Sequence, residues 1–210
     1  MLDSKFSPWP AFTDEEIDSV KDVLISNKVN YWTGDECRKF EKEFAAWSDS
    51  KYAVSLANGT LALDIAFKAL DIGEGDEVIV TSRSYIASVT SIINSNAKPI
   101  FVDIDPESQN ITPSNIRAAI TSKTKAIVCV HLAGWPCEMD EIITIANDHD
   151  LYIIEDCAHA IEGKYKGREL GTFGNFGCFS FYVTKNLTTA EGGMIISNNQ
   201  KRINKIKVSA

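Results

Sequence analysis

Short apolar runs alternate with amphipathic stretches along most of the chain. Tyr52–Ser55, Glu77–Val80, Pro99–Asp103, Ala126–Val130 and Leu151–Ile154 have the length and composition of strands. Between them, the stretches near residues 60–70, 85–95, 113–121 and 139–148 carry apolar residues at helical spacing. Thr112-Pro113 supplies a cap followed by proline at the first helical position. Upstream, Thr13-Asp-Glu-Glu16 reads as a capping box, with Ile17, Val20, Val23 and Leu24 following on one face. A second helix is predicted with Phe40, Phe44 and Trp47 on one side, and a last one starts near Gln200. Strands separated by helices of this length predict an α/β fold, with a mostly parallel sheet and helices on both faces. Ligands of such sheets bind at the carboxyl ends of the strands, so functional residues are expected just after the apolar runs.

Composition narrows the partners. The 210 residues are 44 % apolar, enough for a sizeable core, and the formal charge is −8. That balance argues against nucleic acid or an anionic membrane surface. Met1-Leu-Asp-Ser-Lys-Phe has no basic-then-apolar signal, and no apolar run approaches the ~18 residues of a membrane span. The five cysteines include no CxxC pair, which fits reduced thiols in a cytoplasmic protein; no metal site is expected.

Candidate chemistry collects where the fold rule wants it. Asn58-Gly59-Thr60 opens a helix after the first run, suiting either a phosphate cradle or a plain cap. Tyr85 follows the second run and is either a platform for a flat ligand or a half-buried tyrosine. Glu155-Asp156-Cys-Ala-His159 follows the fifth. Asp156 could pair with a protonated ring nitrogen or cap a helix. His159 by itself reads as a core histidine. Lys185 lies between an aromatic run and Gly192-Gly193, with Ser180 five residues before it. Surroundings that strip its hydration would free its amine to attack a carbonyl.

Taken in order, these motifs resemble the DegT/DnrJ/StrS family of sugar aminotransferases. The resemblance rests on Asn58-Gly-Thr60, Glu155-Asp-Cys-Ala-His159 and the run from Ser180 to Gly193. Tyr31-Trp-Thr-Gly34, Phe101-Val-Asp-Ile-Asp105 and His131-Leu-Ala-Gly134 add to it. It implies the large domain of a type I, aspartate-aminotransferase-like enzyme that uses pyridoxal 5′-phosphate (PLP). By resemblance, Lys185 holds PLP as a Schiff base and shuttles protons, and Asp156 pairs with the pyridine nitrogen. Tyr85 stacks on the ring, and His159 lies beside the cofactor. Gly59, Thr60 and Ser180 bind the phosphate, and Tyr31, Trp32 and Thr33 lie near the sugar-nucleotide substrate. The implied reaction moves an amine from an amino acid, usually glutamate, to a nucleotide-linked keto-sugar in polysaccharide or other amino-sugar biosynthesis, and the implied state is a homodimer.

Family members are nearly twice this long and continue into a small C-terminal domain. Residues 1–210 therefore read as the large domain with an N-terminal helical segment over about 1–50. Lys207-Val-Ser-Ala210 reads as the middle of a helix without a C-cap glycine, which suggests a truncated chain. One alternative is a fragment that folds or dimerises without turnover. Another is a PLP-dependent sugar dehydratase, against which Lys185 counts, since relatives with that activity carry histidine there. A nucleotide-binding Rossmann domain is weaker: Gly171-Thr-Phe-Gly-Asn-Phe-Gly177 lacks the GxGxxG spacing.

Overall fold

Apolar side chains alternate between two cores through the centre of the sheet. In β2 (Glu77–Thr81) and β4 (Thr124–Val130), Val78, Val80, Ala126, Val128 and Val130 enter one core, while Ile79, Ile127 and Cys129 enter the other. This period of two, with both faces buried, is what a helix-covered parallel sheet demands. The computed structural model describes residues 9–209. Residues 1–8, where the N-terminal helical segment was expected to begin, and Ala210 lie outside them.

The other sheet members are β1 (Tyr52–Leu56), β3 (Lys98–Val102), β5 (Tyr152–Asp156), β8 (Phe176–Ser180) and β9 (Gly193–Ser197), in the order β1-β9-β8-β5-β4-β2-β3. Only β9 runs against the rest, pairing antiparallel with β1 and β8. The remaining pairs are parallel. The carboxyl ends of β1, β2, β4, β5 and β8 therefore open on one edge. A small hairpin, β6 (Lys164–Tyr165) and β7 (Arg168–Glu169), lies apart.

Three helices, α3 (Gly59–Ala69), α4 (Ala87–Asn94) and α7 (Gln200–Ser209), contribute to the first core. The opposite face is covered by α5 (Pro113–Ala119), α6 (Met139–Asp148) and α2 (Glu36–Trp47). Phe44 of α2 packs edge-on against Phe179 at 4.9 Å between ring centroids. The predicted elements are present with ends shifted by a residue or two. The aromatic run before Lys185 also forms a strand, β8.

Helix α1 (Asp14–Ser26) carries the predicted capping box, with Thr13 and Glu16 each bonded to the other's backbone N–H. Its apolar stripe is not buried: Ile17, Val20 and Leu24 are all exposed. The pattern marks a face suited to cover, and no described element of the chain covers it. No described helix is long and apolar enough to cross a membrane.

Candidate functional site

Loops leaving the open edge of the sheet enclose one cleft of about 540 Å³. Its walls include Gly59, Thr60, Tyr85, Asp156, His159, Ser180 and Lys185. The sequence-predicted cofactor residues thus converge, although they span 127 positions of chain, from 59 to 185.

The β1–α3 turn forms one wall. Asn58 is the N-cap, its backbone extended and its Oδ1 accepting from Leu61 N–H at 2.9 Å. The first intrahelical bond runs from Ala62 N–H to Asn58 C=O. The N–H groups of Gly59 and Thr60 precede it and remain for an anion. The cap and the cradle are the same structure. A β-carbon on Gly59 would lie 2.7 Å from Ser180 Cβ, so only glycine lets the turn meet the end of β8. A β-carbon on Gly193 would lie 2.4 Å from the Asn58 carbonyl carbon, so β9 presses on the same turn.

Opposite stands the end of β5. Asp156 is 6 % exposed; its Oδ2 accepts from Ser88 Oγ–H at 2.6 Å and its Oδ1 from Ala158 N–H at 3.2 Å. No helix begins at Asp156, so it is not a helix cap. Tyr85 is 70 % exposed rather than half-buried, which leaves its ring free at the cleft. His159 is exposed to the cleft and not a core histidine. The tight turns after β5, which bond Ala160 N–H back to Cys157 C=O, carry it outward.

Lys185 sits in the loop after β8, its N–H donating to Tyr182 C=O at 2.8 Å. Partial burial pulls its ammonium below the ordinary lysine range, with the Asp156 charge opposing. Burial also lowers the proton affinity of His159, the positive charge of Lys185 lowers it further, and Asp156 opposes. A more easily freed amine and a ring that tends to stay neutral therefore share the cleft with an acid. Cys178 also lines it, but burial and then the nearby acids push its thiol up, which keeps it unreactive.

Tyr31, Trp32 and Thr33 do not line the cleft. They form the turn between α1 and α2, where Asn30 Oδ1 accepts from the N–H groups of Trp32 and Thr33. Tyr31 Oη–H donates to Glu41 at 3.4 Å, and Glu41 also accepts from Ser55 of β1.

Two supporting residues carry no role in the sequence reading, though both fall inside quoted motifs. Glu155 is fully buried and accepts from the N–H groups of Gly171, Phe173 and Gly174 at 2.6–2.8 Å. His131 lines the cleft, and its Nδ1 accepts from Cys137 N–H at 3.2 Å. Its Nε2–H is thereby left to donate to Glu155 Oε2 at 3.0 Å. His131, Glu155 and Cys157 lie close enough for a metal, yet these hydrogen bonds account for the buried acid without one. An acid next to Asp156, directly after buried isoleucines, was the available signal.

The donor set fits a flat aromatic phosphate ester with a basic ring nitrogen. It offers a helix start and two hydroxyls for the phosphate, a buried carboxylate for the nitrogen, an exposed aromatic ring and a half-buried amine.

Residues 10–209 match the model of the DegT/DnrJ/EryC1/StrS aminotransferase family. A GDP-perosamine synthase of Escherichia coli O157:H7 is 47 % identical over 195 residues, 91 % of this chain and 52 % of that protein. An aminotransferase of Psychrobacter cryohalolentis superposes with a TM-score of 0.95 at 57 % identity, covering 97 % of this chain and 52 % of the other. NtdA of Bacillus subtilis, solved with the cofactor PMP (pyridoxamine phosphate) bound, gives 0.86 at 30 % identity over 97 % of this chain and 48 % of that one. The chain spans about half the length of the curated relatives it matches.

Proposed function

Because the chain belongs to the DegT/DnrJ/EryC1/StrS aminotransferase family, we propose that it binds PLP in this cleft and moves an amino group from glutamate to a nucleotide-linked keto-sugar. The observation that carries the reading is the convergence of Lys185, Asp156 and the Gly59-Thr60 helix start on one cleft at the carboxyl edge of the sheet. Likeness to a GDP-perosamine synthase supports a nucleotide-linked acceptor.

PLP would supply the electron sink and the carbon that carries the amine between the two half-reactions. Gly59 and Thr60 N–H, with the Thr60 and Ser180 hydroxyls, bind its phosphate. Asp156 would pair with a protonated ring nitrogen, its negative charge favouring the charged ring. Tyr85 would offer its exposed ring to the cofactor, and His159, its protonation held down, lines the same cleft. Lys185 Nζ would hold the cofactor, and as a free amine it is the group in the cleft placed to take up and give back a proton. Its lowered proton affinity suits both tasks. Trp32, 85 % exposed, offers an aromatic face to the nucleotide sugar. A second copy covers the exposed apolar residues of α1 and Ile86 beside the cleft. The cytoplasm, where its five free thiols stay reduced, is the compartment.

Turnover with glutamate and a panel of keto-sugar nucleotides tests this reading. Formation of 2-oxoglutarate together with an amino-sugar nucleotide supports it. A dehydrated product without new nitrogen would replace it by the dehydratase reading.

A further inference from the structure

Helical serines usually spend their hydroxyls on the preceding turn. Ser48 Oγ–H donates to Phe44 C=O at 2.8 Å, and Ser95 Oγ–H to Ile92 C=O at 2.7 Å. Ser88, in the first turn of α4, does otherwise. It is fully buried, and its hydroxyl donates to Asp156 Oδ2 at 2.6 Å, across 68 residues of chain.

A hydroxyl has one proton, and the Asp156 carboxylate can only accept. The 2.6 Å contact between Ser84 Oγ and Ser88 Oγ must therefore run from Ser84 to Ser88. The result is a directed chain, Ser84 to Ser88 to Asp156. Each hydroxyl polarises the next, so the bond that reaches the acid is stronger than an isolated one. Ser84 neighbours Tyr85 and lines the cleft. The chain thus ties the loop bearing the exposed ring to the acid on the far strand.

We propose that Ser88, backed by Ser84, is a positioning residue that holds the Asp156 carboxylate in the orientation needed to meet a protonated ring nitrogen. This rests on the assignment of Asp156 to the pyridine nitrogen of PLP. The hydroxyl fixes one carboxylate oxygen, Ala158 N–H steadies the other, and the rotamer is set before the cofactor arrives. Ser88 is buried behind the cleft and does not line it.

The test compares the affinity of the protein for PLP with that for the analogue in which C–H replaces the ring nitrogen. Wild type should prefer PLP, and Asp156→Asn should lose most of that preference. Ser88→Ala should cut it about tenfold, the scale of a lost hydrogen bond to a charged group. Ser88→Thr, which keeps the hydroxyl, should stay within about twofold of wild type. The visible absorption maximum of bound PLP should shift in Ser88→Ala and return in Ser88→Thr. If Ser88→Ala does not fold, Ser84→Ala, at the half-buried end of the chain, should still lower the preference severalfold. Equal weakening of both ligands by Ser88→Ala means a packing role and overturns the proposal, as does an unchanged preference. No preference in wild type removes the role of Asp156 itself, and the positioning role falls with it.

Discussion

Gly59 and Ser180 meet at one wall of the cleft so closely that a β-carbon on the glycine would stand 2.7 Å from Ser180 Cβ. Two strands far apart in sequence are thereby brought to one proposed phosphate site. Gly59→Ala must push the end of β8 away, and overpacking of this kind costs about 1–3 kcal/mol. The expected result is a folded protein whose affinity for PLP, measured by fluorescence titration, falls tenfold or more. Gly193→Ala meets backbone rather than side chain, at 2.4 Å from the Asn58 carbonyl carbon, and should lower the melting temperature more than Gly59→Ala.

Glu155 is expected to matter for stability more than for chemistry. Its two oxygens accept from three backbone N–H groups and from His131. In Glu155→Gln, an amide N–H₂ must face N–H donors inside the core. Leaving such donors unpaired, together with the loss of a charge-assisted network, should cost about 2–4 kcal/mol. Urea unfolding followed by circular dichroism reads this directly; a midpoint unchanged from wild type would show that the 171–174 loop does not depend on the acid.

The reactivity of Lys185 should rise with pH at a midpoint below that of an ordinary lysine. Burial lowers its proton affinity, so the free amine appears earlier as pH increases. Asp156 opposes that shift, so Asp156→Asn should move the midpoint lower still. Reductive methylation of the protein without added cofactor, read at Lys185 by mass spectrometry across pH, gives both midpoints. A higher midpoint in Asp156→Asn would mean that the acid and the lysine are not electrostatic neighbours.

The uncovered stripe on α1 and the exposed Ile86 suit a partner surface. Sedimentation should detect a dimer at micromolar concentration, and Ile86→Asp combined with Leu24→Asp should shift it towards monomer. A wild-type chain that stays monomeric at high concentration would remove the second copy from the account.

Much of this architecture was legible because strand and helix periods differ. The buried runs of β2, β4 and β5 have too few polar positions to be anything but interior strands, and Thr13 and Thr112 mark helix starts by their own hydrogen bonds. The antiparallel course of β9 was not legible, since nothing in the apolar run Met194–Ser197 marks its direction. The convergence on one cleft was foreshadowed by position, since Asn58-Gly59-Thr60 and Lys185 each follow an apolar run. Residue by residue the site was less legible. His159 read by itself as a core residue and Tyr85 as a platform or a half-buried tyrosine, and only the turns that project them show both exposed. Ser88 gave no signal, because a serine in a helix is ordinary and its partner lies 68 residues away. Tyr31, Trp32 and Thr33, expected near the sugar-nucleotide substrate, sit beyond the cleft walls in a turn held by Asn30 and Glu41.

The most direct test of the cofactor assignment is chemical. The protein is incubated with PLP, reduced with borohydride, digested and mapped by mass spectrometry. The expected result is one pyridoxyl phosphate group per chain, on Lys185, and none after Lys185→Ala. A label spread over surface lysines, or one that persists in Lys185→Ala, would contradict the assignment of Lys185 and with it the proposed aminotransferase chemistry of this cleft.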